Sequence, residues 1–234
     1  AGFGCEVRIT GADGRPQPVR GTVLHVHGNA ANISNHLPLV AWLPAQGWQV
    51  LTFDYRGYGR SSGAPSIDGV VDDTVRALDW LRARPDVDPR RLVVLGQSLG
   101  GATSIRAVSR SPQGVRLLVS EGAFASYRGI ADEVGDALGT VFWAFQRLNR
   151  PFLPGPAADP VTAVPALPMP LLVIHGTGDT VIPFHHGEAL HAAARAPKGF
   201  IRIDGGRHVD GLRRVEVRRE LLRRMNEQVG PPPA

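Results

Sequence analysis

A serine stands between two glycines in the segment Gly96-Gln97-Ser98-Leu99-Gly100, directly after the apolar residues 92–95. At a turn from a strand into a helix, this pattern is the sequence form of a nucleophile elbow, which exposes the serine hydroxyl at the top of a sheet. Glycine is needed on both sides because the chain approaches itself too closely there for a side chain. We therefore predict that Ser98 is a nucleophile, and the alternative is an ordinary turn with a surface serine.

A serine hydroxyl is a weak nucleophile until a base takes its proton, and an acidic group must orient that base. Downstream, the strand-like run 170–174 leads into a glycine-rich loop with Asp179, and the strand-like run 200–203 leads into a loop with His208. The chain order serine, aspartate, histidine differs from the orders in chymotrypsin-like and subtilisin-like enzymes and is the order of α/β-hydrolases. We predict that His208 is the base and Asp179 its orienting acid.

The chain has eight histidines, so the choice of the base needs an argument. Only His208 follows both Asp179 and a further strand, in a loop preceded by glycines. His185 and His186 are the main alternatives. For Asp179 the alternative is a turn-forming aspartate without a chemical role, since aspartate favours turns through its own hydrogen bonding.

Backbone N–H groups are expected near the serine, because acyl transfer needs donors for the developing oxyanion. The strand-like run 22–27 ends in a His-Gly turn, a position at which hydrolases of this kind place one such donor. We predict that the N–H groups of Leu99 and Asn29 form the oxyanion hole, with Ala30 as the neighbouring alternative to Asn29. A plain polar loop is the alternative for the turn as a whole, and His27 is interpreted as structural.

Strand-like and helix-like segments alternate along the 234 residues, which suffice for one domain with a substantial core. Several strands are continuous apolar runs, as a sheet covered on both faces requires, so we predict an α/β fold with a mostly parallel sheet and helices on both faces. The predicted strands lie near 22–27, 50–55, 91–95, 115–120, 170–175 and 199–203, and the predicted helices near 34–46, 67–83, 98–110, 183–195 and 209–228.

The segment 121–169 interrupts this alternation, because about fifty residues are more than a simple crossover needs. We predict a crossover helix and a small cap within the one domain 1–234. Aromatic residues of this segment would line an apolar pocket suited to an acyl chain, or would only pack the helix onto the sheet. The residues assigned to this pocket are Phe124, Phe142, Trp143 and Phe145.

The net charge of +5 rests on arginine, since Lys198 is the only lysine. Paired arginines interleaved with apolar residues between 212 and 225 predict an amphipathic basic helix, either with a solvated outer face or with a surface for anionic lipid or an acidic partner. We expect no nucleic-acid partner. Cys5 is the only cysteine, which excludes an internal disulfide and a thiolate metal site.

Neither a metal nor a dinucleotide cofactor is expected. No His/Asp/Cys grouping has ligand spacing suited to a metal, and the Gly57-Tyr58-Gly59 sequence lacks the third glycine of a dinucleotide-binding turn. The chain shows no membrane-spanning run and no signal peptide at its start, so a cytoplasmic protein is expected. A removed signal or anchor upstream of Ala1 stays open.

Taken together, four motifs resemble the α/β-hydrolase superfamily, in particular its serine-aminopeptidase-like branch with depalmitoylase-like and lysophospholipase-like proteins. The resemblance extends over about residues 21–222 and implies a triad of Ser98, His208 and Asp179, with the amides of Leu99 and Asn29 as the oxyanion hole. The four motifs are His27-Gly28-Asn29-Ala30, the segment from Phe53 to Gly63, the segment from Gly96 to Gly101, and the segment from His175 to Pro183.

Two departures from the family pattern stand out. The family often carries asparagine after the catalytic histidine, where this chain has Val209, and the part before the strand at Thr22 is short. From the same resemblance, Asp54 and Arg56 are expected to brace loops near the site.

These observations predict a serine hydrolase that cleaves a carboxylic ester or thioester through an acyl-enzyme. An aminopeptidase or amidase, or an acyltransferase, would use the same triad, and a catalytically silent hydrolase fold used for binding is the alternative from another class. Recognition of a peptide would need acidic residues for an α-amino group, and the acidic residues available are Glu121, Asp132, Glu133 and Asp136.

Overall fold

The structure, a computed structural model, describes residues 5–6, 19–29, 32–137 and 153–232. Within these ranges one seven-stranded sheet has the order β1-β3-β2-β4-β5-β6-β7. All neighbouring strands from β3 to β7 in this order are parallel, and β1 pairs antiparallel with β3 at the edge. The predicted mostly parallel sheet is confirmed. The strands are β1 (Cys5–Glu6), β2 (Gly21–Val26), β3 (Trp48–Thr52), β4 (Leu92–Gln97), β5 (Val115–Glu121), β6 (Leu171–Gly176) and β7 (Lys198–Ile203).

Helices connect these strands, as the alternating pattern predicts. Seven α-helices lie in the described ranges: α1 (Ile33–His36), α2 (Ile67–Arg82), α3 (Leu99–Arg110), α4 (Tyr127–Ala137), α5 (Pro160–Ala163), α6 (Phe184–Ala193) and α7 (Val215–Val229). The start of α2 shows how local chemistry sets a boundary, because the Ser66 side chain accepts a hydrogen bond from the Gly69 N–H and caps the helix.

Two predicted helices have the wrong extent. The predicted helix 34–46 is a single α-helical turn followed by 3-10 turns at Leu37–Leu39 and Pro44–Gln46, because proline lacks the N–H that would continue an α-helix. The predicted helix 209–228 begins only at Val215, after a separate 3-10 turn at Gly211–Arg213.

Alternate residues of the strands pack into two apolar layers, one on each face of the sheet. On β4, Leu92 and Val94 join the layer that includes buried residues of α2, α3 and α6, whereas Val93 and Leu95 join the layer that includes α7. Each fully buried aliphatic side chain of this kind stabilises the fold by about 1.5–3 kcal/mol. The two layers therefore hold the sheet firmly and fix the positions of the strand ends.

Strand β2 lies between β3 and β4, and the direction in which the chain adds strands to the sheet changes there. The chain leaves β2 toward β3 on one side and returns to β4 on the other, so the loops after β2 and β4 diverge and leave a crevice at the carboxyl edge. Ser98, Asp179 and His208 follow β4, β6 and β7 at this same edge.

The predicted cap lies partly outside the described residues. Between β5 and β6 the structure has α4, α5 and 3-10 turns at Pro156–Ala158 and Val164–Ala166, whereas Phe142, Trp143 and Phe145 fall in the range 138–152 outside the described residues. Phe124 is 6% exposed and packs with its ring centroid 5.0 Å from that of Tyr127. It therefore offers little surface to a ligand, and the acyl pocket stays a prediction.

The basic helix α7 is amphipathic, with Val217, Leu221 and Met225 buried against the sheet. Two of its arginines are paired, since Glu220 accepts hydrogen bonds from Arg223 and Arg224. Association with an anionic surface stays a prediction. Among the described helices, none has the length and apolar character that a membrane crossing requires.

Candidate active site

Ser98 occupies a strained turn between β4 and α3, with φ 54° and ψ −120°. The flanking glycines are needed for the steric reason predicted above. A Cβ at Gly96 would lie 2.3 Å from the carbonyl oxygen of Gly100, and a Cβ at Gly100 would lie 1.9 Å from that of Val26. The Ser98 N–H donates to the carbonyl oxygen of Glu121 over 2.8 Å, which ties the turn to the end of β5. The local geometry is that of a nucleophile elbow.

The structure brings His208 and Asp179 to this serine. His208 Nε2 lies 3.1 Å from Ser98 Oγ, and His208 Nδ1 lies 2.8 Å from Asp179 Oδ2. The alternative bases His185 and His186 lie on α6, where both contact Glu133. Of the histidines weighed for the base, His208 is the one hydrogen-bonded to both Ser98 and Asp179.

Asp179 is held as an ionised carboxylate. Its side chain is fully buried, and burial alone would raise the pKa of this carboxyl. Hydrogen bonds from His175, His208 and the Ile182 N–H outweigh burial and place the pKa of Asp179 well below its ordinary value. Oδ1 also accepts the Val181 N–H over 2.9 Å. An ionised Asp179 requires a proton on His208 Nδ1, which leaves Nε2 able to accept the proton of Ser98.

The turn after β2 lies against the serine. A Cβ at Gly28 would be only 3.4 Å from Ser98 Cβ, so this turn packs against Ser98 just before Asn29. The side chain of Asn29 accepts a hydrogen bond from the Tyr58 hydroxyl, and Ala30 lies outside the described residues. Leu99 is the first residue of α3, and the N–H group of a residue in this position has no hydrogen-bond partner inside the helix. Leu99 thus directly follows Ser98 and Asn29 directly follows Gly28, and an oxyanion hole formed by their N–H groups stays a prediction.

Asp54 braces this turn, as expected. Its Oδ1 accepts the Ile33 N–H over 2.9 Å and lies 3.2 Å from His27 Nε2. Arg56 pairs with Asp73 of α2 at 2.7 Å, so it holds its own loop to a helix. His27 donates from Nδ1 to the Gly28 carbonyl oxygen, which agrees with a structural role.

One polar residue from each of four neighbouring strands forms a buried row beneath the elbow. In sheet order β3, β2, β4 and β5 contribute Thr52, His25, Gln97 and Glu121, each at most 2% exposed. His25 Nδ1 lies 3.2 Å from Thr52 Oγ1, and His25 Nε2 lies 2.9 Å from Gln97 Oε1. Gln97 donates to Glu121 Oε2 over 2.6 Å. This row is not predicted from the sequence, where its only signal is a polar residue at or next to the end of each apolar strand.

His25 makes folding sensitive to acid. Burial lowers the pKa of His25 from 6.5 to about 4. The unfolded chain takes up this proton below pH 6.5 and the folded chain only near pH 4, so the contribution of His25 to stability is complete above pH 6.5. As the pH falls from 6.5 to 4, we expect it to decrease by about 3 kcal/mol.

Urea unfolding at pH 7 and pH 4.5 measures this effect in the wild type and in His25→Gln. Burial raises the pKa of Glu121, which acts on stability in the opposite direction, but Glu121 is common to both proteins. We expect the variant to lose about 2 kcal/mol less than the wild type between the two pH values. Equal losses in the two proteins would contradict a buried neutral His25.

Val209, next to His208, has a φ of 51°, in the left-handed region that β-branched residues rarely adopt. Asparagine tolerates this region better than valine does, because its short polar side chain can hydrogen-bond locally. We expect Val209→Asn to raise the free energy of unfolding by about 1 kcal/mol, measured by urea denaturation. Val209→Ala is the control, because it shortens the side chain but keeps a Cβ without the local hydrogen bonding of asparagine. A Val209→Asn protein no more stable than Val209→Ala would argue against strain at this residue.

Glu133, His185 and His186 form a group whose potential metal-ligating atoms lie within 4.8 Å of one another. The Ala125 N–H donates to His186 Nδ1 over 3.1 Å, so the neutral imidazole carries its proton on Nε2, 3.3 Å from Glu133 Oε2. A metal at Nε2 would need the other tautomer, with two N–H groups facing each other. This group therefore fits a contact between α4 and α6 better than a metal centre.

Comparison with known proteins relates the chain to a family. The family model of the alpha/beta hydrolase fold matches residues 21–164. The uncharacterized protein YfhR of Salmonella typhimurium is 41% identical over 214 residues, which cover 87% of this chain and 70% of YfhR. The lysophosphatidylserine lipase ABHD12 of Xenopus tropicalis is 31% identical over 195 residues, covering 77% of this chain and 48% of ABHD12.

Among solved structures, the esterase Pf2001 of Pyrococcus furiosus has a TM-score of 0.74 at 18% identity, with 98% of this chain and 94% of the esterase covered. At this identity the similarity concerns the fold.

Proposed function

The chain belongs to the α/β-hydrolase family, and from its site we propose that it is a serine hydrolase that cleaves a carboxylic ester or thioester through an acyl-enzyme. The observation that carries the proposal is the continuous contact from Ser98 Oγ through His208 to Asp179, at 3.1 and 2.8 Å. These distances are within hydrogen-bond reach, as general-base activation of a serine requires.

In this mechanism Ser98 Oγ attacks the carbonyl carbon of the substrate while its proton moves to His208 Nε2. The N–H groups of Leu99 and Asn29 stabilise the negative charge on the carbonyl oxygen. The tetrahedral intermediate then collapses, and His208 returns the proton to the leaving alcohol or thiol. Water attacks the acyl-enzyme with the same histidine as base, which releases the acid and restores Ser98.

Asp179 serves this cycle by keeping His208 in one tautomer. Its carboxylate accepts the Nδ1 proton throughout and stabilises the imidazolium that forms when Nε2 is protonated. The low pKa of Asp179 supports this role, since the carboxylate stays ionised at the pH at which a histidine acts as base.

Two of the four acidic residues considered for peptide recognition, Glu121 and Glu133, are engaged by other side chains, which favours the ester over the peptide. Glu121 is 2% exposed and hydrogen-bonded to Gln97, so its carboxylate has no access to a substrate α-amino group. Glu133 is engaged with His185 and His186. The similarity to ABHD12, a lysophosphatidylserine lipase by name, agrees with an acyl ester as substrate.

A fluorophosphonate probe tests the proposal directly, because it reacts covalently with an activated serine. We expect labelling of the wild type and none of Ser98→Ala. Ser109→Ala, at a partly buried serine near the end of α3, is the matched control and should label like the wild type. Hydrolysis of p-nitrophenyl esters of increasing chain length, beside aminoacyl p-nitroanilides, then separates esterase from aminopeptidase. A folded wild type without labelling would favour the silent binding fold.

A further inference from the structure

Glu121 is a buried acidic residue to which the mechanism above gives no role. It ends β5 and is 2% exposed. A charged side chain in this position is costly unless hydrogen bonds compensate for the lost water. Its carboxylate receives three donors: Gln97 Nε2 at 2.6 Å on Oε2, and the N–H groups of Gly211 and Leu212 at 2.8 and 3.3 Å on Oε1.

These donors belong to the two segments whose spacing determines the distance between Ser98 and His208. Gln97 immediately precedes Ser98 in the elbow, and Gly211 and Leu212 follow His208 by three and four residues. The backbone of Glu121 adds a fourth hydrogen bond, because its carbonyl oxygen accepts the Ser98 N–H over 2.8 Å. One residue therefore links the segment of the nucleophile to the segment of the base.

The hydrogen bonds of the polar row all run in one direction and end at Glu121. A carboxylate only accepts, so the amide NH₂ of Gln97 must face it, and Gln97 Oε1 then faces His25 Nε2. His25 donates from Nε2, which leaves Nδ1 to accept the hydroxyl of Thr52. The carboxylate thereby orients the whole row across four strands.

The loop after His208 needs contacts that hold its backbone in place. The φ of 51° at Val209 shows that the backbone next to His208 is strained, and strained residues persist only where surrounding contacts hold them. The 3-10 turn Gly211–Arg213 that follows it rests on Glu121 through its first two N–H groups.

We propose that Glu121 is a positioning residue, whose buried carboxylate holds the turn after His208 at a fixed distance from the nucleophile elbow and so keeps His208 Nε2 in reach of Ser98. The proposal rests on the serine hydrolase function proposed above. Glu121 does not touch the reacting atoms. It acts through the backbone of Gly211 and Leu212 on one side and through Gln97 on the other.

Glu121→Leu is the principal test, because leucine has a similar size and no acceptor atoms. We expect kcat for a short p-nitrophenyl ester to fall roughly 10- to 100-fold, since small displacements of catalytic groups have effects of this size. KM should change less than about threefold, because the substrate contacts stay the same. Glu121→Gln keeps one acceptor oxygen for Gly211, and we expect it to recover most of the activity.

Two further variants separate positioning from stability. Leu118→Ala opens a cavity at a fully buried core residue of the same strand, so it should lower the Tm. At temperatures well below the Tm, its kcat should stay within about threefold of the wild-type value. Gly211→Ala perturbs the contact from the other side, because a Cβ there would lie 2.8 Å from Glu121 Oε1, and 2.9 and 3.0 Å from side-chain carbons of Ile203 and Ile174. It should reduce kcat as Glu121→Leu does, and it replaces that variant if Glu121→Leu fails to fold.

Amide hydrogen exchange provides a measurement that does not depend on catalysis. In Glu121→Leu or Gly211→Ala the amides of Gly211 and Leu212 should exchange at least tenfold faster relative to that of Val94 in β4. Unchanged exchange, or a kcat loss in Leu118→Ala equal to that in Glu121→Leu, would overturn the proposal. If the wild type fails to react with the fluorophosphonate, the hydrolase function fails, and the exchange data still decide whether Glu121 holds the His208 turn.

Discussion

Replacement of Ser98 by alanine should lower kcat for ester hydrolysis by roughly four to six orders of magnitude, as removal of a triad serine does. The reason is that Oγ forms the acyl-enzyme in the proposed mechanism, and no other described side chain contacts His208 Nε2 within hydrogen-bond distance. The remaining rate would come from binding and from the oxyanion donors alone. The fold should be unaffected, because the turn geometry depends on Gly96 and Gly100 rather than on the hydroxyl.

Purified protein without contaminating esterases is needed for this measurement, since traces of another enzyme would mask a loss of this size. The control is Ser109→Ala, which should retain the kcat of the wild type. The free energy of unfolding of Ser98→Ala should stay within about 1 kcal/mol of the wild type. A Ser98→Ala protein with more than a few per cent of the original kcat would refute Ser98 as the nucleophile.

Replacement of Asp179 by asparagine should lower kcat by about four orders of magnitude, the size of loss known for an orienting acid. Asparagine has almost the same shape, and its oxygen can still accept the N–H groups of Val181 and Ile182. Its amide NH₂ would then face His208 Nδ1 and donate to it. The imidazole would carry its proton on Nε2, where it can no longer accept the proton of Ser98.

Steady-state kinetics of Asp179→Asn beside Asp204→Asn tests this expectation. Asp204 lies just after β7 at the same edge of the sheet and pairs with Arg202 on the surface, so its replacement should leave kcat unchanged. KM should be similar in both variants, because neither carboxylate is placed against the substrate. If Asp179→Asn kept a tenth or more of the activity, Asp179 would be a turn-forming aspartate, the alternative stated at the outset.

Part of the site was predictable from the sequence, because it depends on residues that are close together along the chain and on the order of the segments. The G-x-S-x-G turn is a steric requirement within five residues, and the structure shows the close approaches that exclude side chains at Gly96 and Gly100. The chain order of Ser98, Asp179 and His208 was also readable, because in a parallel sheet each loop that follows a strand returns to the same edge. The helix predicted over 34–46 was wrong, because prolines divide the segment into short turns although its apolar pattern favours a helix.

The elbow, the chain order of the catalytic candidates and the class of fold were thus predictable from the sequence, since these depend on neighbours along the chain and on apolar runs. Which polar residues meet across the sheet depends instead on how the strands assemble. Glu121 contacts Gly211 across 90 positions, and His25 contacts Gln97 across 72. Such pairs follow from strand order and register, which determine which strand ends, and which residues at those ends, lie side by side. No periodicity in the sequence encodes them, because each partner looks like an isolated polar residue in its own segment.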